Sequence, residues 1–214
     1  MIETRSIATR THGRILVHHG TGDGLVLGFH GYYEDADVQM ARLRGIPGSD
    51  AWTLVSVQGL HRFYRGRSHD VVASWMTRQD RELAIADNVA YVDAVLDAVK
   101  GAAWTGIVVC VGFSQGTAMA FRAATRARVR AAAIVAVGAD VPPDVLDEAG
   151  VPVPPVLLIR GSRDDLYTKT MFEADAAALA ARGTDVQAAT LDAPHDWTDD
   201  VAHAAGHFLR RFSS

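Results

Sequence analysis

The chain has 214 residues, 49% of them apolar, which is enough to bury one substantial core and short for two domains. A formal net charge of −4 argues against nucleic acid or an anionic membrane as principal partner. No apolar run approaches a membrane span, and the single Cys110, which cannot form an internal disulfide, reads as a buried core residue.

In chain order, Met1-Ile2-Glu3-Thr4-Arg5 lacks the apolar stretch of a signal peptide, so cytoplasmic residence is the expectation. Residues 5–9 and 14–18 read as a hairpin turning at His12-Gly13. Gly20, Gly22 and Gly24 lack both the Gly-x-Gly-x-x-Gly spacing and a helix to follow, so they read as a flexible turn and not a phosphate cradle. Strands are predicted near 25–29, 53–57, 106–111, 132–137, 156–160 and 186–191. Helices are predicted near 35–44, 80–100, 115–127, 167–182 and 197–212, with Ile85, Val89, Val92, Leu96 and Val99 at helical spacing in the second. This alternation describes one α/β domain over 1–214, with helices on both faces of a mostly parallel sheet of about seven to eight strands. The connection from 139 to 155 is too short for a lid domain, which leaves the strand edge open or shallowly covered.

The chemistry concentrates at Gly112-Phe113-Ser114-Gln115-Gly116, which follows the apolar run Ile107-Val108-Val109-Cys110-Val111. Strand, Gly-x-Ser-x-Gly and helix in succession describe a sharp turn that holds a serine at its tip in a strained conformation. Flanking glycines are needed because a Cβ there would collide with the neighbouring helix or strand. The hydroxyl stands above the sheet beside a helix N-terminus, which favours developing negative charge.

A serine hydroxyl attacks only when a neutral imidazole takes its proton, and that imidazole needs a carboxylate to hold its tautomer. Both follow in the expected order. Gly161-Ser162-Arg163-Asp164-Asp165 ends the strand near 156–160, and Asp192-Ala193-Pro194-His195 ends the last strand. Strand C-terminal ends share one edge of a parallel sheet, so Ser114, Asp164 or Asp165, and His195 converge there. The tetrahedral oxyanion needs two N–H donors. Gln115, next to the serine, supplies one, and Tyr32, in the His30-Gly31-Tyr32 turn after the first core strand, is the candidate for the other.

In these motifs the chain resembles the serine hydrolases of the α/β-hydrolase fold, and most of all the carboxylesterase/phospholipase group that includes the acyl-protein thioesterases. The residues that carry the likeness are Phe29-His30-Gly31-Tyr32, Gly112-Phe113-Ser114-Gln115-Gly116, Gly161-x-x-Asp164, Pro194-His195-Asp196-Trp197 and Ser74-Trp75-Met76-Thr77. The resemblance implies that Asp164, three residues after Gly161, is the triad acid and Asp165 its neighbour. It further implies a small-molecule ester or thioester substrate cleaved through an acyl-enzyme. The chain departs from the group at Thr117, where relatives often carry glycine, and in the bulk of Tyr32-Tyr33-Glu34.

The remaining features are weighed against this reading. His30 is expected chiefly to support its loop by a structural hydrogen bond, at the margin of the substrate site. His61-Arg62-Phe63-Tyr64-Arg65-Gly66-Arg67 mixes charge and aromatics as nucleic-acid surfaces do, but its position favours a wall of the substrate site formed by Phe63. Trp75 and Met76 are expected to add apolar surface to that wall. His203 and His207 stand one helical turn apart without an intervening Glu or a third ligand, so neither a metal nor a cofactor is expected. A homodimer is left open. The competing reading is a non-catalytic α/β-hydrolase-fold protein that binds a small molecule in the same cleft.

Overall fold

The structure, a computed structural model, describes residues 1–213. Its strands are β1 (Ile15–His18), β2 (Leu25–Phe29), β3 (Thr53–Val57), β4 (His61–Tyr64), β5 (Val71–Ser74), β6 (Val108–Phe113), β7 (Ala133–Val137), β8 (Val156–Gly161) and β9 (Val186–Leu191). Its helices are α1 (Ala36–Arg44), α2 (Arg81–Lys100), α3 (Gln115–Arg126), the one-turn α4 (Pro143–Leu146), α5 (Lys169–Ala181) and α6 (Asp199–Leu209).

Seven strands form one sheet in the order β1-β3-β2-β6-β7-β8-β9, parallel throughout except for the antiparallel edge strand β1. The inner strands are buried on both faces, which is why they read as unbroken apolar runs and not as alternating ones. Alternate side chains still part to opposite faces. Leu25, Leu27, Phe29, Val108 and Cys110 join α2, α3 and α5 in one core layer, and Val26, Val109, Val111 and Phe113 join α1 and α6 in the other. The chain is an α/β-hydrolase-type sheet sandwiched between helices.

The chain leaves β2 for β3 on one side, and β6 then pairs with the other side of β2. The loops after β2 and β6 therefore diverge and open a crevice at the carboxyl edge, where ligands of open α/β sheets bind. Between β7 and β8 only α4 intervenes, so no large lid covers this edge.

The structure corrects the sequence reading in two places. Residues 1–14 form no strand, and β1 pairs with β3 (Ile15↔Val57) instead of with residues 5–9. That segment is exposed throughout, Ile7 included, and a two-stranded ribbon with no face to bury is marginal in water. Conversely, residues 61–67, expected only as a wall, open the separate hairpin β4–β5. Its strand β4 is mostly exposed, so it lacks the apolar signal by which core strands are read.

Candidate active site

Ser114 sits between β6 and α3 with φ 51° and ψ −126°, a backbone conformation that ordinary residues avoid. The packing around it explains the two glycines. A Cβ on Gly112 would meet the main chain of Gly116 and Thr117, and one on Gly116 would run into the carbonyls of Phe29 and His30. The elbow is thus seated directly on the loop that leaves β2. The Ser114 N–H donates to the Val137 carbonyl at 2.8 Å, which fixes the turn against β7.

His195 lies after β9, half-buried, and its Nε2 is 3.0 Å from Ser114 Oγ. Its Nδ1 is 2.8 Å from Oδ2 of Asp164. The other Asp164 oxygen, Oδ1, accepts the N–H groups of Leu166 and Tyr167, both at 2.9 Å. Both oxygens of Asp164 thus face donors, and these bonds fix the plane of the carboxyl group. The next residue, Asp165, is exposed and makes no bond to the histidine. Geometry therefore separates two aspartates that spacing alone leaves open.

The imidazole is also packed. Phe113 packs on it, tilted, at 5.1 Å between ring centroids, and the Arg42 guanidinium lies 4.1 Å from the centre of the Phe113 ring. Gly138, at φ 70°, lines the ring elsewhere; a Cβ built there would sit 3.1 Å from His195 Cε1. Arg42 in turn is gripped by both oxygens of Glu34, at 2.6 and 2.7 Å. Glu34 Oε2 also accepts the Gly31 N–H at 2.7 Å. Burial pushes the Glu34 carboxyl up, but Arg42 and the Gly31 N–H outweigh it and leave it below its usual range. Sequence reasoning missed Glu34, Arg42 and Gly138.

The loop after β2 is held at several points. His30 Nε2 accepts the Gly59 N–H at 3.0 Å, so its proton is on Nδ1, which donates to the Gly31 carbonyl at 2.7 Å. Burial depresses the His30 pKa against the pull of its bond to the Gly31 carbonyl. The Trp75 indole N–H donates to the His30 carbonyl at 2.8 Å. Glu34 and Ala73 form an antiparallel bridge, and the Tyr33 N–H donates to Ala73 at 3.2 Å. Among the described residues, the N–H groups of Tyr32 and Gln115 meet no acceptor.

The Gln115 side chain clamps the third wall. Its Oε1 accepts from the Trp75 N–H and the Ser74 hydroxyl, at 3.0 and 3.2 Å, and its Nε2 donates to the Met76 carbonyl at 3.1 Å. Trp75 and Met76 do not present apolar surface to the crevice: they are 0% and 6% exposed. They belong to the core because Trp75 packs on Phe29 and His30, and the Met76 sulfur meets buried Arg122. His30 is likewise buried at 0%. Phe63 differs: half-buried, it stacks on Tyr32 and Tyr33 at about 6 Å in a partly exposed aromatic cluster. His203 and His207 are exposed on α6, bonded to Asp199 and Arg210, outside this arrangement. Among the described residues, no group of three His, Cys, Asp or Glu is placed to hold a metal ion, and no helix is long and apolar enough to cross a membrane.

The model of the phospholipase/carboxylesterase family matches residues 69–213, a stretch that contains Ser114, Asp164 and His195. The chain belongs to that family. Loop 30–34 lies outside the matched stretch of this carboxylesterase-family chain. Esterase PE8 superposes at a TM-score of 0.71, with 24% identity, over 94% of this chain and 100% of its own. Acyl-protein thioesterase 2 of Zea mays gives 0.73 at 17%, over 95% and 100%. The carboxylesterase of Bacillus cereus gives 0.71 at 15%, over 93% and 94%. At these identities the likeness is one of fold. No curated protein matches this carboxylesterase-family sequence.

Proposed function

We propose that this chain, read as a single α/β-hydrolase domain, is a serine hydrolase. It cleaves small carboxylic esters or thioesters through an acyl-enzyme on Ser114. The observation that carries the reading is the unbroken hydrogen-bond line from Ser114 Oγ through His195 to Asp164, at 3.0 and 2.8 Å. Asp164 accepts the Nδ1 proton of His195, which leaves the Nε2 lone pair for the serine proton. Attack on the acyl carbon moves that proton to Nε2 and puts negative charge on the carbonyl oxygen. The free N–H groups of Tyr32 and Gln115 receive that charge. The imidazolium then gives its proton to the leaving alcohol or thiol. A water repeats the sequence to release the acid and restore Ser114.

The aromatic group of Tyr32, Tyr33 and Phe63 beside the donor loop supports an apolar substituent lying against that rim. A fluorophosphonate, which traps an activated serine, tests the reading. Intact-protein mass spectrometry is expected to find one adduct on the wild type and none on Ser114→Ala, with EDTA leaving the labelling rate unchanged. Folded wild-type protein that stays unlabelled would replace the hydrolase reading by the small-molecule binding one.

A further inference from the structure

Helix α5 carries a carboxylate that the acyl-transfer mechanism does not use. Asp175 is 8% exposed, at a position where an apolar residue would pack without desolvation cost. Its Oδ2 accepts the Tyr167 hydroxyl at 2.7 Å and the Val141 N–H at 3.2 Å. Neither donor is charged. Burial lifts the Asp175 carboxyl above its usual range against the pull of these two bonds, so the site keeps an acid at some expense in stability.

Both donors lead to His195. Tyr167, 1% exposed, is the residue whose N–H donates to Asp164 Oδ1, and its ring is held edge-on by Phe172 of α5. Its carbonyl accepts from the buried Arg160 Nε at 3.2 Å. Val141 lies in the short loop after β7 that begins at Gly138, whose backbone packs against the imidazole. Gly138 itself is pinned to β8 through its N–H and the Ile159 carbonyl at 2.9 Å. One oxygen on α5 thus ties together the turn that aims Asp164 and the loop that backs His195.

We infer that Tyr167 and Asp175 are positioning residues, a brace that is anchored on the 138–141 loop and holds Asp164 in register with His195. The inference rests on the hydrolase reading above. The brace touches no reacting atom and acts through Asp164. Misplacing a catalytic group by a fraction of an ångström to an ångström costs about 10- to 100-fold in rate.

The pseudo-first-order rate of fluorophosphonate labelling, together with kcat and KM on a small ester, tests the brace. Circular dichroism restricts each comparison to folded protein. Tyr167→Phe removes only the hydroxyl and leaves the N–H to Asp164; it is expected to slow labelling and kcat about tenfold at unchanged KM. Asp175→Leu should do the same, and Asp175→Asn, which keeps an oxygen acceptor, should recover most of the loss. The decisive comparison is made in an Asp164→Ala background, where Tyr167→Phe should cost less than twofold because the group it positions is already gone. A full tenfold loss in that background would make Tyr167 merely structural and overturn the brace, as would single variants that label at the wild-type rate. If Tyr167→Phe does not fold, Asp175→Leu against Asp175→Asn decides by the same criterion. Wild-type protein that fails to label overturns the hydrolase reading, and the brace falls with it. A labelling wild type with indifferent variants overturns the brace alone.

Discussion

The substitution Asp164→Asn is isosteric, and the structure dictates how its amide must lie. The Oδ1 site faces two main-chain N–H donors, of Leu166 and Tyr167, each at 2.9 Å. An amide NH2 there would set donors against donors, so the amide oxygen stays and the NH2 turns toward His195 Nδ1, 2.8 Å away. Nδ1 must then accept, which moves the ring proton to Nε2. In that tautomer Nε2 donates to Ser114 Oγ, 3.0 Å away, and cannot take its proton. In serine proteases the same error of tautomer costs about 10⁴ in kcat, or about 5 kcal/mol of barrier. The expected result is a drop of that order in p-nitrophenyl ester turnover, with KM and thermal stability near wild type. Asp165→Asn, at an exposed position without a bond to the ring, should stay within about twofold. Retention of more than a tenth of the activity in Asp164→Asn, or an equal loss in Asp165→Asn, would refute the reasoning.

Two further outcomes follow from the packing. Gly138→Ala forces an L-residue to φ 70° and brings a Cβ to 3.1 Å from His195 Cε1. It should lower kcat about tenfold and stability by about 1–2 kcal/mol, read by ester hydrolysis and thermal melts. Away from the site, Asp144 bonds the fully buried Arg122 at 3.0 and 2.7 Å and is also paired with Arg126. Arg122, against the cost of partial burial, lowers the Asp144 carboxyl to about 2. A depressed carboxyl contributes stability above its unfolded value of about 3.9 and loses it as pH falls toward the folded value. Asp144→Ala strands the Arg122 charge and should cost about 3 kcal/mol at neutral pH, a fall of roughly 6–12 °C in Tm. The gap between the two proteins should narrow between about pH 4 and 2; a gap constant over that range would contradict the assignment.

The sheet is legible in the chain because parallel inner strands are buried on both faces and so write themselves as apolar runs, such as Leu25–Phe29 and Ala133–Val137. Edge elements lack that record. The β4–β5 hairpin hides in a stretch of histidine, arginine and exposed aromatics, because what holds it is its bond to loop 30–34 and to Gln115 and not a core of its own. The supposed strand at 5–9 fails for the opposite reason. A turn at His12-Gly13 suggests a partner for residues 14–18, but the 5–9 segment has nothing to cover.

The same division runs through the site. Ser114, Asp164 and His195 are legible because each stands just past a strand, where the sheet brings sequence-distant residues to one edge. Their supports are not, because each depends on a partner from another element that no spacing rule connects. Arg42, held by Glu34, reaches Phe113 only once α1 packs on the sheet. Trp75 reads as surface by its chemistry and is core by its position, its indole N–H spent on the His30 carbonyl. Gln115 reads as a donor beside the serine, while its side chain proves to be the clamp on residues 74–76. Acyl transfer needs its donors fixed before charge develops, since a donor that must first be ordered gives back part of what it stabilises. On the proposed mechanism the buried polar groups around Ser114 serve that requirement: His30 and the Gln115 side chain bond residues 31, 59 and 74–76, while among the described residues the main-chain N–H groups of Tyr32 and Gln115 meet no acceptor.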